Sequence, residues 1–327
     1  MSSKSMHKIF QLFGGCLIAL ILWGCNEQTQ PSIQDGAPVE TLTEAQKEET
    51  TNLRNGSHPF ITKWKGEAGQ ELKIPILGTY TLTWYNEATP EERYTEQVSI
   101  TSYIGKHEFE ETTPYTFTTP TDGVYVVEAG PEGVEGMLMS FDGDVIFSMK
   151  LLSVVQFGDV VWKRLQSAFH NCSDMRFEEG IDIPNLSQCT NLSWMFAGCE
   201  SFNHLLESWD VSQVTLMTGM FAGCRSFNQP LEKWDVSKVT GMSDMFTDCT
   251  AFNQPLAQWD VANVKDMSRM FYGCSSFNQS LEAWNINPLA HSEGMVGMFN
   301  DSPAAELPFA AKWRAAGYDI DMYEEMQ

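Results

Sequence analysis

Phe227-Asn228-Gln229-Pro230-Leu231-Glu232-Lys233-Trp234-Asp235-Val236-Ser237-Lys238-Val239-Thr240-Gly241-Met242-Ser243-Asp244-Met245-Phe246-Thr247-Asp248-Cys249 is the stretch on which the reading of this chain turns. It recurs on both sides with small changes. Cys199, Cys224, Cys249 and Cys274 stand 25 residues apart, as do Trp209, Trp234, Trp259 and Trp284. The pairs Met195-Phe196, Met220-Phe221, Met245-Phe246 and Met270-Phe271 keep the same interval. Landmarks that hold one spacing define a repeat whose turns stack on one another, because one turn alone leaves its apolar side uncovered. Such a scaffold does not by itself say what it holds.

Within one unit, Val239, Met242, Phe246 and Cys249 follow the 3, 4, 3 spacing of one face of a short helix or 3₁₀ segment. Ser237 is placed to cap its start. Leu231 to Val236 reads as a short strand with Trp234 and Val236 on one side, and the Asn-Gln-Pro before it as a turn. Strands of neighbouring units would pair in parallel, about 4.8 Å apart, and five units would make a rod roughly 20–25 Å long. The fold expected is an α/β repeat solenoid, leucine-rich-repeat-like, with short parallel strands and short helical turns, preceded by a small β-sandwich. The sandwich is read from short alternating runs such as Tyr80-Thr81-Leu82-Thr83-Trp84 and Gly123-Val124-Tyr125-Val126-Val127. Asp142-Gly143-Asp144 is read as a hairpin turn, with a calcium contact as the lesser alternative.

Stacking gives each column a chemical meaning. The cysteines read as small buried hydrophobes at an inner corner, since each thiol would have two equivalent neighbours, and a spacing of 25 matches no zinc pattern. Asn203, Asn228, Asn253 and Asn278 are placed to bond one another or the loop backbone. The tryptophan column has two readings: core if it points inward, an aromatic strip for sugar rings or a partner protein if it points outward. Trp209, Trp234, Trp259 and Trp284, with Lys238 and Asn263, are the candidate binding surface. Towards its ends the repeat degenerates, with Ala168-Phe169-His170-Asn171-Cys172 at the start and Met298-Phe299 at the finish. Pro308 to Ala316 reads as a helix stopped by Gly317, with Phe309 and Trp313 covering the last turn.

The N-terminus reads as an export signal: Lys4, His7 and Lys8, an apolar run from Ile9 to Trp23, then Leu22-Trp23-Gly24-Cys25. The run is too short and broken for a transmembrane helix. Cys25 is the expected lipidation site, which would anchor the chain to a membrane. The organisation expected is a signal peptide over 1–24, a tether over 25–56, a sandwich over 57–150, repeats over 151–302 and a helical cap over 303–327. With Lys+Arg 20 against Asp+Glu 43, the net charge of −23 argues against nucleic acid as a partner.

The motif Phe-Asn-Gln-Pro-Leu-x-x-Trp-Asp-Val-Ser-x-Val-Thr-x-Met-x-x-Met-Phe-x-x-Cys resembles the BspA-like surface lipoproteins of bacteria, an aberrant leucine-rich-repeat class. Pro59-Phe60-Ile61-Thr62-Lys63-Trp64 and Leu151-Leu152-Ser153-Val154-Val155-Gln156-Phe157-Gly158 are also similar to theirs. Where that family often carries Trp-x-Asp-Gly, this chain has Trp84-Tyr85-Asn86-Glu87. The resemblance implies a non-catalytic, cell-surface protein associated with adhesion. His7, His58, His107, His170, His204 and His291 fall in no metal-like spacing, and no G-x-S-x-G, H-E-x-x-H or Walker loop occurs. No enzyme activity, cofactor or metal is expected. The function expected is a lipid-anchored protein of the bacterial envelope or outer membrane that binds a host matrix protein or glycan. A structural or accessory subunit of an envelope or fimbrial assembly is the alternative, and the oligomeric state is left open.

Overall fold

The computed structural model describes residues 57–104, 110–112, 114–139, 150–286 and 294–321. Cys25, the apolar run before it, the tether and the Asp142-Gly143-Asp144 turn lie outside these residues.

The regular secondary structure is almost all β. Strand β1 (Phe60–Gly66) alternates inward and outward, with Phe60, Thr62 and Trp64 fully buried. The Trp64 indole N–H donates to Thr62 Oγ1 at 2.9 Å, so the ring brings no unpaired donor into the core. The chain continues through β2 (Glu71–Ile74), β3 (Ile76–Asn86), β4 (Tyr94–Ile100), β5 (Ser102–Ile104), β6 (Glu110–Thr112), β7 (Tyr115–Thr118), β8 (Gly123–Ala129) and β9 (Val134–Met137). Two further strands, β10 (Leu151–Gln156) and β11 (Arg176–Phe177), come from the start of the repeat region. One seven-stranded sheet runs β11-β10-β1-β8-β3-β4, with β9 also on β3; β2-β7 and β5-β6 form two-stranded sheets. The sheet is mixed, because β10 and β11 are parallel while its other pairs are antiparallel.

The expected α/β repeat solenoid is not what forms. The architecture is a mixed β-sheet followed by stacked turns, and α1 (Pro308–Ala315) is the single α-helix among the described residues. The reason lies in the backbone of each unit. Trp234 N–H bonds Leu231 C=O at 3.1 Å and Val239 N–H bonds Val236 C=O at 2.9 Å, so the expected strand is two tight turns. The expected helix is broken at every fourth residue by a left-handed conformation: Asp244 (φ 56°) and Asp248 (φ 58°), Trp194 and Gly198, Gly219 and Gly223, Arg269 and Gly273. An α-helix needs every N–H aimed back along the chain. Here the amides alternate in direction. Met245, Thr247 and Cys249 bond back to Met242, Asp244 and Phe246, whereas Met242, Asp244, Phe246 and Asp248 donate at 2.8–2.9 Å to Asp266, Ser268, Met270 and Tyr272 of the next unit. The previous unit does the same through Met217, Gly219, Phe221 and Gly223. Parallel single-residue bridges link Asn191, Leu216, Gly241 and Asp266.

The side chains follow this alternation. Phe221, Phe246 and Phe271 stack face to face at 5.6 Å, and each lies 4.1–4.3 Å from a second column, Phe227, Phe252 and Phe277. At the start, Met137 and Met139 donate to Arg164 and Ser167 C=O, and Phe60 packs edge-on against Trp162 at 4.9 Å, so sheet and turns share one core. At the far end Phe309 and Trp313 of α1 lie 5.8 and 6.2 Å from Phe299, as the spacing of four predicts. Gly317 (φ 88°) ends that helix in the left-handed region. Among the described residues no helix is long and apolar enough to cross a membrane.

Candidate binding surface

The tryptophan column points inward. Trp209, Trp234, Trp259 and Trp284 are 3–5% exposed, and the last three donate their indole N–H to the C=O of Leu206, Leu231 and Leu256 in the preceding unit at 2.8–2.9 Å. Of the two readings of this column the structure has the core one, so these four residues leave the candidate surface. The expected role of Ser237 as cap is also corrected. The side-chain acceptor is the residue after each Trp: Asp210, Asp235 and Asp260 Oδ1 take the N–H of Ser212, Ser237 and Ala262 at 3.1 Å. The Ser212 and Ser237 hydroxyls and amides, with Lys238 adding its charge, hold Asp210 and Asp235 below the usual carboxylate range.

Lys238 and Asn263 are exposed. Lys238 Nζ donates to Gln213 Oε1 at 2.9 Å and Asn263 Nδ2 to Ser237 C=O at 2.7 Å, so Gln213, Lys238 and Asn263 form one surface column. Neighbouring columns carry ion pairs across units: Lys233–Glu207 at 3.1 Å, Arg269–Asp244 at 2.9 Å and Arg225–Glu200 at 3.8 Å. The exposed Arg225–Glu200 and Lys233–Glu207 pairs contribute little to stability, about 0–1 kcal/mol each. Together the ion pairs give each level a different charge pattern. Beside them runs an amide ladder in which Asn203, Asn228 and Asn253 Oδ1 accept from the backbone N–H of Asn228, Asn253 and Asn278 at 2.9–3.1 Å. Gln229, Gln254 and Gln279 donate to the same oxygens.

His204 stands where the later units have Gln229, Gln254 and Gln279, and the sequence reading gave it no role. No asparagine precedes it by one unit, and its Nε2 instead accepts the Phe177 N–H of β11 at 3.1 Å. The acceptor must be unprotonated, and burial together with nearby Arg176 pushes its pKa below the usual value. The stability this contributes is present above the unfolded value near pH 6.5 and is lost as pH falls through the folded value. His170, also lowered by burial, acts in the same direction. Melting temperature is therefore expected to fall as pH drops below about 6.5, and His204→Gln to flatten part of that fall. An unchanged slope in the variant would show that the junction does not titrate.

Cys199, Cys224, Cys249 and Cys274 are free, fully buried thiols, each donating to a Phe C=O at 2.9–3.0 Å. Burial pushes their pKa up, away from the reactive thiolate. A thiol reagent should modify them only after denaturation; rapid labelling of the folded chain would contradict the interior placement.

No curated protein and no solved structure matches the chain. Two overlapping stretches, residues 163–284 and 221–313, match the model of a family described as Mycoplasma protein of unknown function, DUF285. Residues 163–313 are therefore similar to a bacterial family, and the match covers the repeat with β11 and leaves out the other strands of the sheet.

Proposed function

We propose that the protein is held at a bacterial cell surface by a lipid on Cys25 and binds a host protein or glycan, without catalysis, through the exposed columns of its stacked turns. One observation carries the reading. The interior columns repeat the same residues from turn to turn, while the surface columns do not: Gln213, Lys238, Asn263; Glu207, Glu232, Ala257; Gly223, Asp248, Gly273. None of these nine is buried. A surface that varies over a fixed core suits composite recognition, in which a ligand spanning several turns gains a modest amount from each. The similarity of residues 163–313 to a bacterial family and the Leu22-Trp23-Gly24-Cys25 motif support the location.

The test has two arms. Residues 54–327, which form one compact unit, are applied to glycan and matrix-protein arrays beside a Lys238→Ala, Asn263→Ala double variant. Binding that weakens in the variant without a change in melting supports the surface; binding that is unaffected places recognition elsewhere. For the anchor, Cys25→Ala should release the chain from the membrane fraction. A variant that keeps the parent's mass and fractionation would remove the lipid anchor from the reading.

A further inference from the structure

The last strand of the sheet, β4, leaves one edge open. Thr79 N–H and Thr81 C=O on β3 bond Gly133 and Gly130, so the odd-numbered residues of β3 face β8 and β9. Its even-numbered residues face β4, and Tyr80, Leu82 and Trp84 pair there with Val98, Glu96 and Tyr94. Strand periodicity then turns the backbone N–H and C=O of Thr95, Gln97 and Ser99 away from the sheet. Among the described residues these outward groups have no partner. The strand carries few of the devices that usually blunt an edge: it has no Lys, no Pro and no register shift, and Glu96 is its one charge.

We infer that β4 is the interface of a two-fold dimer, pairing antiparallel with β4 of a second copy about Gln97. The sequence of the strand is self-complementary in that register. Gln97 faces Gln97, and Thr95 faces Ser99, so every outward N–H and C=O of these three residues meets an acceptor or a donor. Side chains on that face are hydroxyls and amides, already in a polar row through Thr79–Ser99, Thr81–Gln97 and Thr83–Thr95. On the other face Glu96 lies opposite Val98 of the second copy, so no like charges stand directly opposed. Tyr94, stacked on Trp84 at 4.2 Å yet 45% exposed, lies opposite Ile100 and gains cover. The net charge of −23 per chain opposes association, so the dimer should tighten as salt is added.

The test uses residues 54–327. Sedimentation over a concentration series should show a monomer–dimer equilibrium that strengthens with salt. Gln97→Pro removes an outward N–H and no backbone bond to β3, and the side-chain bond to Thr81 Oγ1 that it also loses is exposed, so the fold is kept and dimer affinity falls by about tenfold or more. Gln97→Cys puts two thiols on the axis with Cα atoms about 5.5 Å apart, within disulfide reach. Under oxidation it should give a disulfide-linked dimer, whereas Gln213→Cys, exposed on the turns, should not. A parent that stays monomeric in high salt, or Gln97→Cys that cross-links no better than Gln213→Cys, overturns the proposal. The surface-binding reading is untouched by either result, since its test concerns other residues.

Discussion

Phe246→Ala is expected to destabilise the protein by about 3–5 kcal/mol, the range for removing a large buried ring from a core that relaxes only partly. Phe246 is fully buried and touches four aromatic neighbours: Phe221 and Phe271 at 5.6 Å, Phe252 at 4.2 Å and Trp259 at 6.4 Å. Because each unit is held by its neighbours, a void at this level weakens the interfaces above and below it together. Trp234→Ala should fall in the same range and also remove one of the two donors to Leu206 C=O, the Trp209 N–H at 3.0 Å remaining. Trp234→Phe separates the two contributions, restoring most of the ring while removing only the indole bond to that carbonyl, for a cost of about 0.5–1.5 kcal/mol. Lys238→Ala, on the exposed column, should stay within about 0.5 kcal/mol of the parent. Chemical denaturation of the four variants checks the ordering. If Trp234→Ala melts like the parent, the column is not core.

Gly78→Ala is expected to cost about 2–6 kcal/mol, combining backbone strain with overpacking. Gly78 has φ 121°, and a Cβ there would sit 1.9 Å from Gly133 C=O, the acceptor of the Thr79 N–H. Gly133, at φ 89°, has the mirror problem, its own Cβ falling 1.9 Å from Thr79 C=O. The two glycines allow β3 and the chain before β9 to touch backbone to backbone at the register shift between Leu77 and Gly78. Gly69→Ala is the control: φ is 76° but nothing lies within 4 Å of the added carbon. Its cost should be the conformational part alone, about 1–2 kcal/mol. Equal losses for the two variants would show that the close approach is not a constraint.

Much of the interior was legible in the sequence. The interval of 25 placed Met, Phe and Cys in buried columns, and the structure has them there; for Trp it left core and surface open, and the structure has the core reading. What the interval could not give was the path of the chain between those columns. Val239, Met242, Phe246 and Cys249 have helical spacing, but a turn that enters the left-handed region at Asp244 and Asp248 brings the same side chains inward. The left-handed positions are occupied by Trp194, Asp244, Arg269 and several glycines, so no single residue type marks them. The misread strand has a similar origin. Leu231, Trp234 and Val236 look like half-buried β pattern, yet tight turns close at 232–233 and 237–238. The sheet was read strand by strand from its alternation, but the pairing of β10 with β1, and of β11 with β10, is a long-range choice that no local pattern records. Of the candidate site, Lys238 and Asn263 stayed on the surface. His204 escaped notice because its partner is a backbone amide 27 residues away.

The forward-donating amides have a consequence for how such a chain can change over generations. Met217, Gly219, Phe221 and Gly223 hand their hydrogens to the next unit as Met242, Asp244, Phe246 and Asp248 do. Interior units are therefore joined by the same backbone bonds at each level, although side chains such as Trp194 over Gly219 and Asp248 over Gly273 tie particular neighbours together. Unequal recombination that copies or deletes a whole unit leaves β9 docked on the first turn and α1 over the last. The length of the stack, and with it the sequence of exposed levels, can drift in steps of one unit while the fold persists. A deletion out of phase by a single residue has no such tolerance, because it would turn Phe and Cys out of their columns and bring charged neighbours in.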